Sequence, residues 1–177
     1  MAKSKWKLDD NHKSVEFVVK HMMISKVKGT FKEFQATIDA DPEDLTTADI
    51  EFVIDLNSID TGNNDRDNHL RSGDFFDVEN HPKMTFKSKK VVNKGEGEYD
   101  VVGDLTIRGT TREETFKTTY EGKGVDPYGN EVVAFSVEGK VNRKDYGLVW
   151  NVALETGGVL VGEDVKFTIE TEALKAE

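Results

Sequence analysis

The chain contains no cysteine among its 177 residues. Disulfides, thiol catalysis and thiolate metal sites are therefore excluded. Basic residues are also short: 24 Lys and Arg stand against 34 Asp and Glu, a formal net charge of −10. A surface of that sign is repelled by nucleic-acid phosphates and by anionic bilayers, which speaks against nucleic-acid binding and stable membrane insertion. No stretch approaches the roughly 18 consecutive apolar residues of a membrane-crossing helix. The opening segment, Met1 to Asp9, carries lysines with no apolar run behind them. A Met running straight into patterned sequence, without a secretory signal, leads to the expectation of a cytoplasmic protein.

Histidine is scarce too. His12, His21, His69 and His81 are the whole complement, and none stands at the spacing of a helical or hairpin metal pair. No nucleophile-elbow or triad pattern occurs, so neither a catalytic constellation nor a metal or cofactor site is expected.

What the chain does have is alternation. Val15, Phe17 and Val19 alternate with charged residues, as do Val27, Gly29 and Phe31, and then Ile50, Phe52, Ile54 and Leu56. The same period of two recurs from Met84 to Ser88, Tyr99 to Ile107, Phe116 to Tyr120, Val133 to Val141 and Val165 to Thr171. Such runs are half-buried strands. Asn93–Gly97, Arg108–Thr111 and Asp126–Asn130 read as hairpin turns, and Pro42 and Pro82 fall between strand runs. Only the stretch from about Asn64 to Ser72 reads as a helix. Asn63 or Asn64 can cap it, Asp65 and Asp67 suit its first turn, and Gly73 can stop it. Leu70 is its sole apolar residue, so it cannot cover a sheet face. About eight strands with one apolar face each, and no helical layer, leave a sandwich or a closed barrel. No linker or internal repeat divides residues 1–177, which read as one domain.

Three glycines decide between the two. Gly29, Gly103 and Gly139 lie within strands on the apolar phase, where a glycine costs packing and entropy. Either they permit a sharp bend, or they leave room for a guest. Both reasons require a strongly curved sheet, so the expected fold is all-β, a single antiparallel eight-stranded lipocalin-like barrel with one short helix near its mouth. Such a barrel is wide enough to be filled by side chains or to hold one small ligand. Seven phenylalanines share the inward phase: Phe17, Phe31, Phe52, Phe86, Phe116, Phe135 and Phe167. A packed aromatic core is the plain reading of that set.

The stretch from Arg66 to Asp77, RDNHLRSGDFFD, followed by Pro82–Ser88, closely resembles the signature of the bacterial YceI-like family. Trp6–Asp9, His12–His21, Gly29–Phe31, Val102–Gly109 and Asn142–Gly147 match the family in the same order. The resemblance implies an extended lipocalin-like barrel that binds polyisoprenoid or similarly long amphiphilic lipids, with no catalytic residues to carry over. The chain lacks the Gly-x-Trp of true lipocalins near its first strand, so kinship there is one of shape.

On this reading the ligand lies against Phe17, Val19, Phe31, Phe52, Phe86, Leu105, Phe135 and Phe167, with Gly103 making room. His21 continues the phase of Phe17 and Val19 and is expected at a cavity end. The loop carrying Arg66, His69, Leu70, Phe75 and Phe76 is read either as a lid or as a scaffold in which Arg66 and Asp67 tie the helix to the rim. Arg143, Lys144 and Asp145 form a second polar cluster of the same ambiguity. The expected function is to carry, store or sense a long-chain lipid, without catalysis. The alternatives are an enzyme that moves a proton through His21 or His69 in the same cavity, and a structural barrel that is simply full. The reading leaves a homodimer open.

Overall fold

The computed structural model describes residues 3–176. Its strands are β1 (Ser4–His21), β2 (Ser25–Phe31), β3 (Phe34–Asp41), β4 (Asp44–Asp55), β5 (Ile59–Asp60), β6 (Lys83–Gly95), β7 (Glu98–Ile107), β8 (Thr110–Val125), β9 (Glu131–Asn142) and β10 (Val161–Lys175). The helix α1 spans Asn64–Arg71. β2 and β3 share one place in the sheet: β2 pairs with Glu16–His21 of β1, and β3 with Ser4–Lys7. β5 merely adds two residues to the end of β2. With β2 and β3 taken as one broken strand, the sheet is an eight-stranded antiparallel meander closed by β1 against β10.

β3 is the strand that alternation did not reveal. Its inward side chains are Phe34, Ala36, Ile38 and Ala40, and the two alanines give a weak apolar signal. β1 also runs further back than expected, and its phase changes on the way. Trp6 and Leu8 are buried at even positions, Val15 at an odd one. Between Leu8 and Lys13 the register against β10 shifts, five steps on β1 matching the two from Ala173 back to Thr171. A bulge of this kind turns the next residue to the other face and tightens the local twist.

α1 is capped as its sequence suggests at the start. The Asn63 side chain accepts from Arg66 N, and Asp65 and Asp67 lie in the first turn. Its end differs from expectation. Ser72, not Gly73, is the C-cap, with its Oγ donating to the His69 carbonyl at 2.6 Å. The helix and the turn after it close the barrel where β4 stops, and Arg108 of the β7–β8 turn donates to Phe75 O at 2.7 Å.

The three strand glycines make no empty room. A Cβ on Gly29 would strike the ring of Phe17, its cross-strand partner. On Gly139 it would strike Phe167, again its partner, and then Phe116. On Gly103 it would strike the Lys87 backbone carbonyl and the Phe86 ring. In each case a phenylalanine lies over the bare backbone, so the glycine is a seat for a ring. The rings then meet one another: Phe17 and Phe31 have centroids 5.3 Å apart, Phe86 and Phe116 5.3 Å, and Phe116 and Phe167 4.9 Å edge-on. Pairs of this geometry contribute roughly 0.5–1.5 kcal/mol each beyond area burial.

Gly103→Ala should therefore destabilise the protein, because the colliding atom is backbone and cannot swing away. Overpacking of this type costs about 1–3 kcal/mol, a drop of several degrees in melting temperature. Gly124, also in a strand but with open space around it, serves as the control. Thermal unfolding followed by circular dichroism checks the pair; equal, small changes would show that Gly103 is not held by contact.

Candidate functional site: an apolar cavity through the barrel

The barrel encloses a cavity of about 240 Å³, a little below the roughly 300–1,000 Å³ usual for ligand pockets. Leu8, Ala40 and Leu45 line one end, and Arg143, Leu148 and Val161 the other. Phe17, Phe52, Phe86, Phe135 and Phe167 are half-buried rather than buried, and each lines the cavity, as do the more buried Phe31 and Phe116. Val19, Leu70, Phe75, Phe76 and Leu105 complete the set of expected residues found on its wall.

Four expected residues lie elsewhere. His21 is half-buried between Ser25 and Val161, off the cavity wall. Its strand alternates as expected, but the cavity ends at Val19. Gly103 is covered by Phe86. Arg66 donates through Nε to Thr61 Oγ1 and through Nη2 to Thr61 O, both at 2.7 Å. Buried Asp67 accepts from Thr61 N at 3.0 Å and from its hydroxyl. Together they staple α1 to the segment after β5, the scaffold reading of this loop. His69 bonds Asp74 at 2.9 Å and stands edge-on to Phe75 and Trp150. No histidine lines the cavity among the described residues.

The room comes from alanine instead. Ala36, Ala40 and Ala48 of β3 and β4 face the cavity, Ala36 directly opposite Phe52. The sequence signal was there, but small inward residues on a weakly patterned strand do not stand out.

Sequence reasoning also undervalued Arg143. It is 5% exposed, lies on the cavity wall, and sits over the Phe75 ring. Its guanidinium donates to four backbone carbonyls: Gly162 at 2.8 Å, Leu148 at 2.6 Å, Trp150 at 3.0 Å and Val161 at 3.2 Å. It therefore fixes the connection from Gly147 to Leu160 across the barrel end. Burial lowers its pKa despite the attraction of Glu163, and no carboxylate lies within ion-pair distance of it among the described residues. A guanidinium has five N–H donors, so one on Nη2 is left over.

Beside it, Tyr146 is 1% exposed and its Oη has no hydrogen-bond partner. Glu114 is its polar neighbour, and burial pushes that carboxyl above the usual carboxylate range. Outside the barrel, the β1 bulge brings His12 Nδ1 to 2.9 Å from Asp9 Oδ2 and 3.5 Å from Glu172 Oε2. These are the only three residues grouped closely enough to hold a metal among those described. The hydrogen bond to Asp9, and then the charge of Glu172, raise the His12 pKa.

Residues 6–173 match the YceI-like domain family. A UPF0312 protein of Staphylococcus epidermidis is 48% identical over 170 residues, 96% of each chain. The crystal structure of a Campylobacter jejuni YCEI protein superposes with a TM-score of 0.77 at 33% identity, covering 89% of this chain and 90% of that one. A polyisoprenoid binding domain from Saccharophagus degradans shares the fold, with a TM-score of 0.70 at 15% identity over 97% and 98% of the two chains.

Two outcomes follow, one from the buried carboxyl beside Tyr146 and one from the cavity. Glu114→Gln should raise the melting temperature at pH 8 and leave it nearly unchanged at pH 4. With a folded-state pKa above the unfolded value, Glu114 costs no stability below the unfolded pKa and progressively more as pH rises beyond it. Ala48→Phe should fill part of the cavity. Each excluded methylene of a bound chain is worth roughly 0.8 kcal/mol, so losing four costs about 3 kcal/mol, a fall in affinity of about two hundredfold. Titration with geranylgeraniol measures it, and unchanged affinity would place the ligand elsewhere.

Proposed function

Because the chain belongs to the YceI-like domain family, we propose that its barrel binds a long-chain apolar or amphiphilic lipid, of polyisoprenoid type, as a carrier, store or sensor. The observation that carries this reading is the continuous apolar cavity, walled by phenylalanines and aliphatics from Leu8 at one end to Val161 at the other. Burying such a wall against a flexible hydrocarbon is favourable in proportion to area and needs no directional contacts. A chain-like ligand suits it better than a compact polar one.

Arg143 gives the tunnel a direction. Its leftover N–H and uncompensated charge stand at one end, where an oxygen-bearing head group has a donor to meet. The tail then extends past Phe116 and Phe86 towards Ala36 and Ala48. On this reading the protein binds its lipid without turning it over.

Mass spectrometry of natively purified protein tests the reading. The expected result is a co-purifying lipid with a long hydrocarbon or isoprenoid chain at about one per barrel. Protein that emerges empty and takes up neither geranylgeraniol nor hexadecane would overturn it. Replacing Arg143 by Lys keeps a cation but cannot span four carbonyls. It should lower the melting temperature and weaken geranylgeraniol more than hexadecane, as measured by competition for a fluorescent lipid.

A further inference from the structure

One hairpin tip combines features that each cost folding energy. Met22 and Met23, between β1 and β2, hold φ of 54° and 65°, a left-handed conformation that glycine and asparagine take readily and methionine does not. Their side chains are 44% and 53% exposed, and Ile24 after them is 86% exposed. Directly below, Lys20 stands opposite Lys26 across the strands, a like-charge pairing that destabilises a sheet. In the next row Lys28 and Lys166 flank Val18 on its two sides, and Lys166 faces Lys140. Lys20, Lys26, Lys28 and Lys166 have no carboxylate within ion-pair distance among the described residues.

Of the acidic groups at this end, Glu163 pairs with Lys144 at 2.9 Å and Asp164 with Lys140 at 3.8 Å. Exposed Glu155 lies on the neighbouring connection, and exposed Glu16 and Glu138 lie one row further along the sheet. That connection touches the tip, since Met22 N donates to Leu160 O at 2.8 Å, and it exposes Val149 and Val152. A chain of net charge −10 thus concentrates unpaired lysines and exposed large apolar side chains at one end of its barrel. It is the end where Arg143, Leu148 and Val161 line the cavity.

We propose that this end docks reversibly on an anionic lipid bilayer, with Met22, Met23 and Ile24 entering the headgroup region and the four lysines lying against lipid phosphates. The surface then lies against the cavity's Arg143 end, so a lipid could pass between bilayer and barrel there when the connection held by Arg143 moves aside. That last step rests on the lipid-carrier reading; the docking itself does not. The net charge of −10 opposes approach by the rest of the surface, so the orientation of docking is set by this end. An anionic surface draws in each nearby lysine with an affinity gain of roughly fivefold.

Flotation with vesicles tests it, using an equimolar mixture of phosphatidylcholine and phosphatidylglycerol against phosphatidylcholine alone. Wild-type protein should float with the mixture and far less with the neutral vesicles. Lys26→Glu gives Lys20 an opposite charge, so it should melt no lower than wild type yet bind the anionic vesicles about twenty-five-fold more weakly. The double variant Met22→Asn, Met23→Gly suits the left-handed turn, so it should melt higher and float less. Gain of stability with loss of binding is a combination that damage to the fold cannot produce. Absence of flotation by wild type, or variants that float equally well, would overturn the proposal. So would a wild-type dimer in sedimentation that the tip variants disperse, since a second copy would then be the occupant. Mass spectrometry of the same samples keeps the two readings apart. Protein that holds lipid but does not float defeats docking alone, and protein that floats but is empty defeats only the carrier reading.

Discussion

The ladder between β1 and β10 turns a curled sheet into a closed wall, and everything inside depends on it. Eleven residue pairs run from Trp6–Lys175 to His21–Val161, interrupted by the bulge after Leu8. Without this seam the meander would have two free edges, each a row of unpaired backbone groups. With it, the inner faces of all strands look at one another, and no helical layer is needed to cover them. Closure at only eight strands also forces tight curvature. The rings of Phe17, Phe86 and Phe167 can lie on the inner face because glycine backbone beneath them yields the space a Cβ would take.

Much of this was legible in the sequence because a period of two with one apolar face leaves few solutions once helices are ruled out. The order of strands, the turns at Asn93–Gly97, Arg108–Thr111 and Asp126–Asn130, and the start of α1 all followed from local chemistry. β3 escaped because alanine at Ala36 and Ala40 carries little hydrophobic signal, and the phase change in β1 escaped because a bulge leaves no composition mark. The glycines were read in the right places for an incomplete reason. Open space accounts for none of Gly29, Gly103 and Gly139: a partner ring covers Gly29 and Gly139, while Gly103 lies opposite a bulge of β6, under the Lys87 carbonyl and the Phe86 ring.

The polar side chains were harder to rank, since a sequence does not say which carbonyls fold back on a guanidinium. Arg66 and Arg143 look alike in composition and differ in fate. Arg66 spends its donors on Thr61, outside the cavity. Arg143 gathers four carbonyls contributed by the connection before β10 and the first residues of β10 itself. Those partners lie 5 to 19 residues away along the chain, so no local pattern announces them. The charge it carries inward results from how the chain returns to close the ring.

That return also governs how the chain reaches its native state. The sealing pairs join residues separated by nearly the whole sequence, Trp6 with Lys175 at the extreme. Contacts of such long range slow folding, because loop-closure entropy must be lost before they reward it. During synthesis the amino-terminal strand has to wait for the last strand to leave the ribosome. Until then its apolar side, from Trp6 to Val19, has only one neighbouring position filled. The interior is a compartment only once this seam has formed, so an apolar chain present when the wall closes can be enclosed by it.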